Sequence, residues 1–173
     1  GVGVSVRLTS GERGTLFPLF GDAHVHLGLI EPDVLPTGGI GRVLDLGWST
    51  PELHAWTTSI PGLDVEFAGN FLAAEGGYPS DRSWAPAGAT LFVENAREAV
   101  AQQVSSGSSA IKITLNADAG PVHSDEVLAE LVAAAEALCL PAVIHAEGAG
   151  QAERAIRTGK VLLAHTPFSE MLT

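Results

Sequence analysis

The chain has 173 residues, 46% hydrophobic and 17% charged, enough for one domain with its own core and without an apolar run long enough to span a bilayer. Nine basic residues stand against twenty acidic ones, and the net charge of −11 argues against nucleic acid or an anionic membrane as partner, because both demand a basic surface. The single Cys139 cannot form an internal disulfide, which fits a reducing, cytoplasmic setting. It falls late in a helical pattern and reads as a small buried hydrophobe. No secretory signal is visible, and the only methionine is Met171, so the chain is expected to be processed, tagged or cut from something longer.

Residues 1–14 read as a short strand, Val4-Ser5-Val6-Arg7-Leu8, and a turn around Ser10-Gly11. That is too little for a domain, and is expected to be an edge strand or the tail of a preceding one. From Thr15 onward strands and helices alternate. The pattern predicts strand one over 17–26, strand two over 42–46, a short helix over 51–59 with Pro51 in its first turn, and strand three over 65–69.

An irregular stretch over 70–90 follows, carrying Phe71, Tyr78, Arg82 and Trp84. A loop of this length is expected to be a substrate lid, with a flap over the core as the alternative. A helix is predicted over 93–106, ended by Gly107, then strand four over 110–115. Next come a helix over 125–138 capped by Ser124, with Val127, Leu128, Leu131, Val132, Ala135 and Leu138 on its apolar face, and strand five over 141–146. A helix over 150–158 and strand six over 161–165 complete the series, and another helix should begin at Thr173.

Alternating strands and helices mean a parallel sheet with crossover helices, and the near-continuous apolar later strands are those of a sheet covered on both faces. No Gly-rich phosphate loop follows strand one, so a (β/α)8 barrel of the TIM type fits better than a doubly wound nucleotide fold. Such barrels carry their sites at the C-terminal strand ends. His24, His26, Lys112, His145 and His165 all fall there.

In Asp22-Ala23-His24-Val25-His26 strand alternation turns Asp22, His24 and His26 the same way, so two imidazoles one pleat apart are able to grip a single metal ion. Lys112, one of only two lysines, sits inside an apolar strand. Alternation puts Ala110, Lys112 and Thr114 on the inner face and Ile111, Ile113 and Leu115 against helices. A buried ammonium is costly unless paired or discharged. One solution is a carbamate formed with carbon dioxide, an anionic bridge for two metal ions; the other is pairing with Asp22, Asp45 or Glu66. His145 and His165 each end a strand. His54 and His123 read as solvated, with His123, on a strand-to-helix loop, a possible substrate contact.

The segments Gly21-Asp22-Ala23-His24-Val25-His26-Leu27-Gly28, Ala110-Ile111-Lys112-Ile113, Ala142-Val143-Ile144-His145-Ala146-Glu147 and Leu162-Leu163-Ala164-His165-Thr166-Pro167 occur in an order that resembles the metal-dependent amidohydrolase superfamily. The closest look is to the imidazolonepropionase-like and related cyclic-amide hydrolases, over roughly residues 4–173. The resemblance implies that His24 and His26 bind one metal ion and that His145 and His165 bind a second. Lys112, as a carbamate, would bridge the two.

It also implies a hydroxide nucleophile generated by two divalent ions, zinc first, acting on an amide that is expected to be cyclic. The expected catalytic residues are Lys112, His145 and His165. Tyr78, Arg82, Trp84 and His123 are the expected substrate contacts. The family carries an Asp at the end of strand eight, and the pattern here supplies about six of the eight strand–helix units. The expectations are a remnant of an N-terminal β-sandwich over 1–14 and a partial barrel over 15–173, either a fragment or closed by a second chain or a homo-oligomer. The rival expectations are a non-catalytic metal-binding fragment, or the same site acting on a lactone or phosphoester.

Overall fold

The computed structural model describes residues 3–169 and Met171, so the helix expected at Thr173 lies outside the described residues. Strands β1 (Val4–Arg7) and β2 (Arg13–Leu16) form an antiparallel hairpin in which Val4 faces Leu16 and Arg7 faces Arg13. Gly11 takes a φ of +86° in its turn, and its N–H donates to Leu8 O at 2.9 Å. The second hairpin strand and Pro18, which has no N–H to give a ladder, delay the first parallel strand. β3 therefore runs over Phe20–Val25 instead of beginning at Phe17.

Every later strand is parallel to its neighbour. One sheet has the order β3-β4-β5, with β4 (Ile40–Asp45) and β5 (Asp64–Phe67). The other has the order β10-β9-β8-β6-β7. It is built from β6 (Phe71–Ala73), β7 (Thr90–Phe92), β8 (Ile111–Asn116), β9 (Ala142–Glu147) and β10 (Val161–Leu163). β6 and β7 correct the expectation of an irregular 70–90 stretch. Three-residue strands are too short to show periodicity, and the irregular part is confined to 74–89.

The two sheets meet where β5 runs into β6. Gly69 bends there with a φ of +80°, and a Cβ on it would lie 2.0 Å from Gln103 Oε1. Fully buried Gln103 accepts the N–H of Asn70 at 2.8 Å, and Ser109 N–H donates to Phe67 O at 2.9 Å across the junction. The result is an open arc of parallel strands; among the described residues β3 and β10 do not pair.

Helices cover the outside: α1 (Val34–Thr37), α2 (Thr50–Ser59), α3 (Ala96–Ser105), α4 (Asp125–Ala137) and α5 (Gln151–Arg157). Asn95 caps α3 by accepting from Glu98 N–H, and Ser124 caps α4 by accepting from Val127 N–H. Ile111, Ile113, Leu115, Ala142 and Ile144 pack with Val100, Leu128, Leu131 and Ala135 in the main core. Ala110 and Val143, on the opposite alternation, pack with Leu46 and Ala68 on the inner face. The face assignment of strand four is as the sequence predicts.

Two side chains near the end of α4 differ from expectation. Leu138 is half exposed, and Cys139 is exposed, with a φ of +58°. Cys139 occupies the left-handed position where the helix terminates, and the chain there turns away from the core. Among the described residues no helix is long and apolar enough to cross a membrane.

Candidate functional site

His24 lies on β3 and His26 just past its end, one pleat apart. His24 Nδ1 is 2.7 Å from Ala164 O and His26 Nδ1 is 3.1 Å from Gly47 O. A carbonyl accepts only, so each ring carries its proton on Nδ1 and leaves the Nε2 lone pair free. The two rings meet edge to face with centroids 5.4 Å apart, and His24 stacks on His165 at 5.9 Å. His165 meets His145 edge to face at 4.7 Å, with His165 Nε2 only 2.8 Å from His145 Nδ1. Four imidazoles from three strand ends thus form one contiguous group.

Lys112 lies on β8 opposite Val143, with a residue exposure of 2%. Among the described residues no hydrogen bond or ion pair reaches its ammonium. Burial pushes Lys112 down to about 7, against the weaker pull of Asp45. Burial, then the Lys112 charge, lowers His24, takes His26 down to about 4 and takes His145 down to about 3. His24, His26 and His145 are thus held in the neutral form that binds metal ions.

Among the described residues no group of three or more His, Cys, Asp or Glu side chains forms a ready cage for a metal ion. The donors come as two imidazole pairs, with a lysine whose charge is felt by members of both.

Aromatic side chains wall the group. Tyr78 stacks on His145 at 4.8 Å, and its carbonyl accepts from Thr114 Oγ1 at 2.7 Å. Phe71 and Trp84 lie 5.4 and 6.3 Å from the His26 ring, and buried Trp48 stacks on Trp84 at 6.2 Å. The Arg82 guanidinium sits 5.6 Å over the Tyr78 ring and pairs with Asp81 at 3.2 Å. Of the 70–90 stretch, Tyr78 and Trp84 lie beside the imidazoles, and Arg82 is joined to them only through the Tyr78 ring.

His123 is not solvated as expected. It is buried, with Nε2 3.2 Å from Leu72 O in the middle of β6, a carbonyl brought to it by that short strand. Among the described residues no ring contact joins it to the four imidazoles. His54 stays exposed on α2, with Nε2 2.8 Å from Ser106 O.

Three residues of the site carried no weight in the sequence. Asn116 and Glu147 extend the inner alternation two residues past Thr114 and His145, a signal that was available. Asn116 Nδ2 is 3.2 Å from His145 Nε2, and Glu147 Oε1 is 3.5 Å from His165 Nδ1. Asn116 Oδ1 and Glu147 Oε1 are buried without a hydrogen-bond partner. Trp48, two residues past Leu46, is the third.

No family model matches the chain, and no curated protein matches it. Solved structures do. The chain is similar to an Xaa-Pro dipeptidase with bound methionine (24% identity, TM-score 0.62, 82% of this chain and 46% of that one). It is also similar to an amidohydrolase (23%, 0.62, 82% and 46%) and to A. niger ochratoxinase (19%, 0.62, 82% and 45%). The chain spans about half the length of these structures, and at such identities the likeness speaks to the fold.

Proposed function

We propose that this chain carries the metal-binding side of a hydrolase that cleaves an amide C–N bond. His24 and His26 would hold one divalent ion and His145 and His165 a second, with zinc the first choice for imidazole donors. When bound, such ions supply Lewis acidity toward a carbonyl and acidify water near neutral pH.

The observation that carries this reading is the pair of orphaned oxygens beside His145 and His165. If both facing nitrogens offer lone pairs to an ion, the ring protons must sit on His145 Nε2 and His165 Nδ1. Those are the atoms that face Asn116 and Glu147. Glu147 Oε1 then gains a donor, and a half-turn of the Asn116 amide gives Oδ1 one. Ligating imidazoles are commonly oriented by an acceptor of this kind on their other nitrogen.

Lys112 supplies the rest of the donor set. Its uncharged amine, accessible near neutral pH, adds through nitrogen to the carbon of carbon dioxide and loses one proton to water. A carbamate so formed would be a carboxylate-like donor and would remove the cation that opposes metal binding.

Tyr78 and Trp84, both half-buried, offer a flat apolar wall, and Arg82 a cation for an acidic group at its rim. Two substrate shapes are tested together: the cyclic amide that the sequence likeness implies, and a linear dipeptide, which the name of the Xaa-Pro dipeptidase brings in.

The experiment is elemental analysis of protein purified with bicarbonate and without chelator, followed by a panel of lactams, cyclic imides and Xaa-Pro dipeptides. About two ions per chain with turnover that chelator abolishes is the expected result. Ions without turnover on any member would mark a binding module. No bound metal would overturn the proposal.

A further inference from the structure

Asp45 ends β4 with a residue exposure of 0%. Among the described residues no cation lies within ion-pair distance of its carboxylate. Both of its oxygens are used on backbone: Oδ2 accepts the N–H of Leu27 at 2.7 Å, and Oδ1 accepts the N–H of Gly47 at 2.9 Å. Leu27 directly follows His26, and Gly47 carries the carbonyl 3.1 Å from His26 Nδ1. One carboxylate therefore clamps both the main chain that bears His26 and the residue, Gly47, whose carbonyl accepts from the His26 ring.

The surroundings are built to hold this arrangement. Leu46 N–H donates to Val25 O at 2.9 Å, and Ala68 N–H donates to Asp45 O at 2.8 Å, so the turn is tied to both neighbouring strands. Gly47 takes a φ of +135°, and a Cβ there would lie 2.5 Å from the Phe71 ring. A glycine is thus required where the carbonyl turns toward His26. A buried carboxylate is expensive unless hydrogen-bonded, and here each of its two oxygens accepts a backbone N–H, which a neutral amide with one acceptor oxygen cannot reproduce.

We propose that Asp45 is a positioning residue for His26, fixing its Nδ1–H tautomer and ring direction through the Gly47 carbonyl. Its purpose as a ligand-orienting device rests on the metal-site reading above; the hydrogen-bond relay itself does not.

The test is long-range 1H–15N NMR of the imidazoles in chelator-treated protein. Wild-type His26 is expected as the Nδ1–H tautomer with a slowly exchanging proton. In Asp45→Asn, whose amide can accept only one of the two N–H groups, that proton should exchange faster or the ring should become a tautomer mixture. Leu131→Ala, a destabilising change in the outer core, should leave the signal unmoved. A wild-type His26 found as the Nε2–H tautomer, or an unchanged signal in Asp45→Asn, overturns the proposal, and the first holds even where the variant fails to fold.

Zinc titration separates this from the functional reading. If wild type binds two ions, Asp45→Asn should weaken one of them about tenfold or more and spare the other. If wild type binds none, the functional reading fails, and the NMR result decides the relay alone.

Discussion

Lys112 places an ammonium where burial opposes its charge and, among the described residues, no anion touches it. Its folded-state value is depressed from 10.5 to about 7. Between these values the unfolded chain binds the proton and the folded chain does not, so stability rises with pH across that window. His26 and His145 are depressed from 6.5 and act in the same direction, but only between about 3 or 4 and 6.5. The two windows do not overlap. Metal-free wild type is therefore expected to gain roughly 3 kcal/mol relative to Lys112→Met between pH 6 and 9.5. The variant should be the more stable of the two at pH 6. Urea melts of both proteins at the two pH values check this, and parallel curves would show that Lys112 keeps its proton in the folded chain across this range, as an unshifted lysine would.

At the level of elements, the site depends on strands whose two faces do different work. β8 and β9 bury Ile111, Ile113, Leu115, Ala142 and Ile144 against α3 and α4, which leaves Lys112, Thr114, His145 and Glu147 on the inner face. The outer packing holds the strands, and the inner side chains are free to serve chemistry. Leu131→Ala, at a fully buried position on α4, should cost about 2–5 kcal/mol by leaving a cavity. It should leave metal content per folded chain unchanged, as elemental analysis of the purified variant would show. A loss of metal in folded protein would mean that the inner face is not insulated from the outer one.

At the level of the whole molecule, the arc ends in β3 and β10, which do not pair with each other among the described residues. β3 carries Phe20 at 65% exposure and β10 carries Leu162 at 58%. Exposed apolar edge strands invite pairing with another chain. The 173-residue chain is expected to self-associate with rising concentration in sedimentation experiments, and Leu162→Lys should lower that association. A chain that sediments as the same monomer with and without the substitution would mean that these edges are not sticky.

The sequence determined which residues could meet. Period-two alternation assigned Lys112 inward and its isoleucine neighbours outward, and apolar runs ending in histidine placed His145 and His165 at strand ends, because these patterns are local properties of a strand. Helix caps such as Ser124 were legible for the same reason. What only the tertiary structure decided are contacts between distant segments. β6 and β7 are too short to carry a period, so the Leu72 carbonyl that takes up His123 was invisible. Ala164 and Gly47 offer main-chain carbonyls, which have no residue signature, yet they set the tautomers of His24 and His26. Asp45 could be read only as a candidate partner for Lys112. Its role as a clamp on two backbone N–H groups emerges where β3 and β4 lie side by side, a proximity made by the sheet and written in no single stretch of the chain.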